Sequence, residues 1–447
     1  MSSEVTTDLV EKLKRKLSKG NVQWVEKTLK ELHPADIAEI INQIPEEYKL
    51  EVLKFLDEEI ISDVVAELEE DEREELLSKL SAKEIAENVV QHMESDDAAD
   101  LVAELDEHKK NEVIEALTDE EQASDIIDLL SYPENSAGAL MAKELIKVNI
   151  NWTVHECIVE LRKQAEEVEN IHTVYAVDNQ EKLMGRISLK HLIISSPQTI
   201  VEEIVTREIK TVVATADENE VVSKMEKYDL VVIPVINENQ VLLGRITIDD
   251  VVDVMKEEAE KDYQMASGIS ENVEYSDNVF QLTKARFPWL LVGLAGGVMG
   301  AKIIGIFGII EKTPVIAYFM PLIAAMGGNV GVQSSAIVVQ SIANNSLRGS
   351  TYKKLLKELG VGMFNGLLCS VILLIFNLIF NDDTALSLSV SLSLFAVIIF
   401  AAVFGTWIPL VLHKYKIDPA LATGPFITTS NDIIGLLLYL SICQLLL

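Results

Sequence analysis

Near the end of the chain one carboxylate stands inside an apolar run. The stretch LATGPFITTSNDIIGLLLYLSICQLLL (421–447) is hydrophobic enough to lie in a bilayer, with Asp432 near its centre. Placing that charge in hydrocarbon costs about 3 kcal/mol on insertion scales, so such groups turn toward a bundle interior or a water-filled path. Neutral oxygens accompany it: Thr428, Thr429 and Asn431 in the same run, and Asn329, Gln333 and Ser334 in the earlier segment MGGNVGVQSSA (326–336). Both runs are interrupted, one by Pro321 and the glycines after it, the other by the TGP triplet at 423–425. Interruptions at mid-membrane depth free backbone carbonyls, and a pair of them points to an ion site. One carboxylate among neutral oxygens suits a hard cation such as Mg2+, which keeps most of its waters and takes few direct protein ligands. Asp432 is then the charged pore element, with Asn329, Gln333, Thr428 and Asn431 as pore-lining candidates. The competing reading for every member but Asp432 is helix packing, with small residues at the contacts and Ser or Asn bonding between helices. Lys302 is the other ionisable side chain within the apolar runs. It lies about eight residues from the outer end of its run, a distance from which an amine reaches the interface by snorkelling.

A membrane-spanning frame must hold these residues. The chain has 447 residues, 49% of them hydrophobic, and a net charge of −33. An acidic, polar part occupies 1–286, and five apolar runs follow at 288–310, 314–343, 360–380, 385–412 and 419–445. Each is of a length to cross about 30 Å of hydrocarbon. Basic residues gather in alternate links: Lys284 and Arg286; Arg348, Lys353, Lys354 and Lys357; His413, Lys414 and Lys416. The other links, EKT (311–313) and NDDT (381–384), are neutral to acidic. The positive-inside rule puts the basic side, and with it the whole acidic part, in the cytoplasm, and leaves the C-terminus outside. The first 17 residues contain no apolar h-region, so no cleavable signal peptide is expected. The acidic excess argues against nucleic acid as a partner. The three cysteines, Cys157, Cys369 and Cys443, are far apart and fit packing rather than zinc or a disulfide framework.

The acidic part divides in two. Residues 33–130 carry a weak repeat of 24–25 residues whose units end at Leu56, Leu80, Leu105 and Leu130. Each unit reads as two short amphipathic helices, which stack into a small helical solenoid. From about residue 131 the pattern changes. VYAVDNQEKLMGRISLKHLI (174–193) reads as strand, turn, strand and helix start, and VVIPVINENQVLLGRITIDDVVDVM (231–255) repeats that order about 58 residues later, each after a helix-like stretch. The two copies resemble a tandem pair of CBS domains, modules that commonly sense ligands. GRITIDD (244–250) is close to the element that contacts nucleotide in some members, which implies Thr247 and Asp250 as contacts to an adenine nucleotide such as ATP. The alternative is that they cap the helix that follows. That helix reads from Ile248 to about Ile269, with Ile248, Val251, Val252, Met255 and Ala259 on one face and Asp249, Asp253, Glu257 and Glu260 on another. Two such acidic faces brought together would repel without a counter-cation.

The chain as a whole resembles the MgtE family of magnesium channels, most strongly in PLIAAMGGNVGVQSS (321–335) and DPALATGPFITTSNDIIGLLLYLS (418–441). The resemblance implies a multi-domain protein. An all-α solenoid N domain (1–130) precedes an α+β pair of CBS domains (131–200 and 201–250), a connecting plug helix (251–280) and an all-α five-helix pore domain (281–447). It implies a homodimer in which Asp432 and its copy hold a hydrated Mg2+. It also implies that cytoplasmic Mg2+ closes the channel by binding acids at the domain interfaces. The sensor acids fall on Asp96 and Asp100 of DDAADL, on Asp217 and Asp229 of the CBS pair, and on Asp250, Asp253, Glu258 and Asp262 of the plug helix. The sequence departs from the family pattern at Val332, Ala336 and Gly424 near the pore, at Lys261 and Asn219 among the sensor acids, at GIFGII (305–310), which lacks an acid, and at Lys302. The expected function is uptake of Mg2+ across the plasma membrane down its electrochemical gradient. The expected protein is not an enzyme, and neither nucleic acid nor an obligatory protein partner is implied. The alternatives are a CBS-regulated transporter of Mn2+ or Co2+, an anion channel, which the pore carboxylate opposes, and a membrane-anchored Mg2+ sensor that transports nothing.

Overall fold

The repeat at 33–130 resolves into helix pairs because each unit carries its own start signals. In this computed structural model, which describes residues 7–165, 168, 170–270, 273, 278–343, 350–380, 383–422 and 424–447, α1 (Thr7–Leu17) and α2 (Val22–Leu29) lead into four such pairs. These are α3 (Pro34–Gln43) with α4 (Glu46–Leu53), α5 (Glu58–Ala66) with α6 (Glu70–Ser78), α7 (Ala82–Asn88) with α8 (Ser95–Glu104), and α9 (Glu107–Ala116) with α10 (Glu120–Leu129). Pro34 opens α3 at a position where its missing N–H costs nothing. Ser81 and Glu84 bond reciprocally at the start of α7, and the carboxylates of Asp106 and Asp119 accept backbone N–H groups at the starts of α9 and α10. Ile37, Ile40, Ile41, Val64, Val65, Ile85, Leu101 and Val102 are fully or almost fully buried in the shared core. No single helix could bury these faces alone, which is why the units stack.

The CBS-like copies fold as expected. Strand β1 (Ile146–Asn149), α11 (Val154–Gln164), β2 (Val174–Val177), β3 (Leu183–Ile187) and α12 (Leu189–Ile194) form the first. After α13 (Val201–Ile204), β4 (Val212–Val213), α14 (Glu218–Tyr228), β5 (Val232–Ile236), β6 (Leu242–Thr247) and α15 (Ile248–Ala266) repeat the order. Each sheet has three strands, with the first parallel to the second and the second antiparallel to the third. Alternation in the sequence marks only the hairpin strands. β1 and β4 are four and two residues long, too short for alternation to mark them. Helix α15 ends at Ala266, close to the expected Ile269.

Two compact units emerge, Met1–Met255 and Lys256–Leu447. The second contains α16 (Val279–Ile306), a short α17 (Ile309–Lys312), α18 (Met320–Ala343), α19 (Thr351–Phe380), α20 (Thr384–Lys414) and α21 (Gly424–Leu446). A 3-10 segment at Pro314–Phe319 precedes α18, and another at Pro419–Ala422 precedes α21. Among the described residues, five helices are long and apolar enough to cross a membrane. Two begin nine residues before the expected runs, α16 at 279 rather than 288 and α19 at 351 rather than 360. Apolar runs stop at charged residues, but backbone hydrogen bonding does not, so both helices continue through their Lys and Arg residues and α16 passes through Pro288. The extension brings Glu358 into α19, a carboxylate that the count over 360–380 leaves out. Arg348, Asn381, Asp382 and Thr423 of the expected links and motif lie outside the described residues.

Glycines decide how closely these helices approach. A Cβ at Gly296 of α16 would strike the Thr429 side chain of α21, and one at Gly405 of α20 would strike the Gly331 backbone of α18. Small residues at such points let backbones meet, which is how apolar helices associate without a hydrophobic driving force.

Candidate metal centres

The membrane carboxylate is set by the start of α21. Gly424 takes a left-handed backbone (φ +42°) against the Ala266 carbonyl, and Pro425 lies on Gly268. The helix then carries Thr428 and Asp432, one turn apart, past Gly328 of α18. A Cβ at Gly328 would lie 3.5 Å from the Thr428 methyl and 4.0 Å from Asp432 Oδ1. The Thr428 hydroxyl donates back to the carbonyls of Gly424 and Pro425, both at 3.1 Å. Asp432 is half-buried. Asn329 and Gln333, separated by one turn of α18, are both exposed on an open face. Asn431 points elsewhere. It is 1% exposed, packs on Gly331, and neither amide atom has a hydrogen-bond partner. Asp432 and Thr428 therefore lie together against Gly328 of α18, Asn329 and Gln333 are exposed on that helix, and Asn431 is turned into the bundle. Lys302 is exposed on α16.

A second carboxylate group forms at the start of α8. Oxygens of Glu94, Asp96 and Glu144 lie within 4.8 Å of one another, a spacing a single cation can bridge. Arg245 of β6 ties the group together, its Nη2 donating to Glu94 at 2.6 Å and its Nε to the Glu144 carbonyl at 2.6 Å. Ser95 donates to Glu144 from both its backbone N–H (3.1 Å) and its hydroxyl (2.9 Å). Asp96 is buried, and burial first, then the negative charge of Asp250, push its carboxyl well above the usual range. Desolvation also raises Asp97 to about 6 and Asp100 to about 7, with Asp250 adding to the first and Asp97 to the second. Both side chains still reach solvent, so a cation can reach them too.

Asp250 lies near these acids but is not idle. Its carboxylate accepts the backbone N–H (2.9 Å) and hydroxyl (2.7 Å) of Thr247, capping α15, and burial raises it. Thr247 and Asp250 are thus engaged with each other. Asp217 caps α14 through the Asn219 N–H at 3.0 Å, and Asp229 ends that helix in a left-handed conformation; both are exposed. Asp253 and Glu258 are exposed on α15. Burial raises Asp262, and the charge of Asp418, just before α21, raises it further. Glu94, Glu144, Asp97 and Asp418 did not figure among the expected acids. Asp97 lies within DDAADL and Glu94 directly precedes its helix, so both had a local signal; Glu144 and Asp418 come from distant segments.

An acid-rich half with a CBS pair, followed by five apolar helices and a central carboxylate, defines a multi-pass membrane protein of the cation-transport class. The comparisons agree. Residues 320–442 match a family described as a divalent cation transporter, MgtE, residues 32–135 match the MgtE intracellular N domain, and 137–196 and 201–257 match CBS domains. The chain is 33% identical to the magnesium transporter MgtE of Bacillus subtilis, over 95% of this chain and 94% of that protein. It is 31% identical to the magnesium transporter MgtE of Thermus thermophilus, over 97% and 98%. Among solved structures it resembles the cytosolic domain of the Mg2+ channel MgtE in complex with ATP (TM-score 0.51, 31% identity, 55% of this chain and 99% of that one). The chain belongs to the MgtE family of magnesium transporters.

Proposed function

We propose that this protein is a homodimeric plasma-membrane channel that admits Mg2+ down its electrochemical gradient and is closed by Mg2+ on its cytoplasmic side. The observation that carries the permeation reading is Asp432, a half-buried carboxylate at mid-helix beside the glycine face of α18. A fixed negative charge at low dielectric concentrates cations, and a hydrated Mg2+ needs only a few oxygens around its water shell. Thr428, Asn329 and Gln333 are the neutral neighbours that would meet those waters. The basic links support a cytoplasmic acidic half and an outward C-terminus.

Gating rests on the acids. Asp96, Asp97, Asp100 and Asp250 repel one another, with Glu94 and Glu144 at the edge of the same group. Oxygen donors in that number fit a hard divalent cation. Mg2+ there would relieve the repulsion and fasten the solenoid to the CBS pair; Asp262 and Asp418 form a second repelling pair that a cation would join. Asp217, Asp229, Asp253 and Glu258 are proposed as further ligands. An adenine nucleotide such as ATP is proposed to bind the CBS pair, a reading supported by the likeness to the MgtE cytosolic domain solved with ATP. Thr247 and Asp250 cap a helix and would be secondary contacts.

The test is ion flux into proteoliposomes across a panel of Mg2+, Mn2+, Co2+ and Ca2+, with Mg2+ titrated on the cytoplasmic side. Mg2+ uptake that falls as cytoplasmic Mg2+ rises is expected, and Asp96→Ala/Asp100→Ala should keep the flux open. A protein that binds Mg2+ yet passes no divalent cation would refute the channel reading.

A further inference from the structure

Helix α1 sets basic residues along one face of an acidic protein. Residues 7–30 hold seven Lys and Arg against three Asp and Glu, in a chain whose net charge is −33. Lys12, Arg15, Lys16 and Lys19 fall at i, i+3, i+4 and i+7, so they share one side of the helix and of the turn that follows it. Another side, with Val10, Leu13 and Leu17, is buried in the solenoid core. Lys12, Arg15 and Lys19 are exposed, and Lys16 is half-buried. The amines of Lys12 and Lys16 lie over the ring of Trp24 on α2, 5.1 and 5.6 Å from its centroid. Lys14, off this stripe, pairs with Glu11 at 3.3 Å. Among the described residues, no carboxylate lies within ion-pair distance of the four stripe residues. Asp8, one turn before Lys12, is an acid on the same side.

Four cations on one helix face, none paired with an acid, suit an external polyanion. The apolar side of α1 is taken up by the core, so the stripe cannot insert into lipid and can only lie on a charged surface. Two further facts select an anionic bilayer. The same chain carries helices long and apolar enough to cross a membrane, so a lipid surface is always tethered to this stripe and need not be met by diffusion. The aromatic under the lysines is Trp, whose amphipathic ring suits the headgroup level. An anionic leaflet favours each nearby Lys or Arg about fivefold. It repels segments such as 57–80, which hold eleven Asp and Glu against two basic residues. The stripe would therefore set which side of the solenoid turns to lipid.

We propose that Lys12, Arg15, Lys16 and Lys19 dock the solenoid on the anionic headgroups of the bilayer that the same chain spans. The test is energy transfer in nanodiscs from a donor dye to headgroup-labelled acceptor lipid, with Mg2+ fixed. The full-length protein carries the donor on Ser18→Cys, next to the stripe, with Cys369→Ser; Cys157 and Cys443 are buried. Nanodiscs of phosphatidylglycerol are compared with nanodiscs of phosphatidylcholine, each with the same lipid on both faces. At about 0.05 M salt, transfer should be at least about twofold higher in the anionic lipid. It should fall to the neutral-lipid level at about 0.5 M salt, where the screening length drops from about 14 Å to about 4 Å. Arg15→Gln/Lys19→Gln should reduce the gain, and Gln at all four positions should abolish it. Should the fourfold variant fail to fold, the double variant, which changes only exposed side chains, carries the comparison. Equal transfer in the two lipids overturns the proposal. So does a gain that survives the substitutions or high salt. If the stripe lies instead on acids of a second copy, the substitutions change transfer equally in both lipids, which also overturns it.

Discussion

Replacing Asp100 by Asn should make the protein more stable without Mg2+ and less responsive to it. Asp100 has a carboxyl raised to about 7 from an ordinary 3.8, chiefly by desolvation and then by Asp97 and Glu104. Below about pH 4 it is protonated whether the chain is folded or unfolded and costs nothing. As pH rises from about 4 to 7 the unfolded carboxyl ionises while the folded one holds its proton, so stability falls, and the loss is complete above about 7. The full shift corresponds to about 4 kcal/mol at 1.36 kcal/mol per unit. Asp100 still reaches solvent, and screening reduces this to about 1–2 kcal/mol. Asn keeps the volume and removes that cost. In Mg2+-free buffer at pH 8 the variant's Tm should therefore rise by about 2–8 °C, and its fall in stability between pH 4 and 8 should flatten. Mg2+ should then stabilise it less than it stabilises the parent protein, because a ligand oxygen and its charge are gone. The assay is a melting series of full-length protein at pH 5, 6, 7 and 8, with and without Mg2+, alongside limited proteolysis of the segment around α8. An unchanged Tm at pH 8 without Mg2+, together with an unchanged Mg2+ effect, would show that Asp100 is a solvated surface acid and refute the reasoning.

Asp432→Asn preserves volume and hydrogen bonding but removes the pore charge, so Mg2+ uptake into proteoliposomes should fall at least about tenfold at unchanged Tm; parental flux would reduce Asp432 to a structural residue. Lys302 is exposed on α16, and Lys302→Ser should leave Mg2+ flux unchanged at equal reconstitution; a large rise would place its amine beside the ion path. Gly405→Ala drives a methyl into the Gly331 backbone, where neither side can yield by a rotamer change. It should cost at least about 1–3 kcal/mol, read as a lower Tm of the detergent-solubilised protein.

Local pattern was enough for the elements. A repeat of 24–25 residues ending in leucine yields helix pairs, because amphipathic spacing and start signals such as Ser81 with Glu84 act within one turn. Five apolar runs yield five spanning helices, because an unpaired backbone group in lipid must bond within its own helix. Asp432 was legible for the same reason: a charge in hydrocarbon is anomalous wherever its neighbours lie. The gathering of side chains was another matter. Arg245 and Glu94 are 151 positions apart, and nothing in either segment says that β6 will bring a guanidinium to the start of α8. Adjacent positions also part company. Asp432 stays half-buried beside Gly328 while Asn431 is buried against Gly331, since successive residues on a helix point about 100° apart and only the packed neighbours decide which direction is inside. Glu358 stood just beyond an apolar run until α19 was seen to begin at Thr351, and its meeting with Ser334 depends on glycine contacts among α18, α19 and α20. Periodicity and composition are properties of a single segment, and so the sequence carried them. The direction each side chain faces, and the company it keeps there, arise from close approach between segments, and only the tertiary structure decided those.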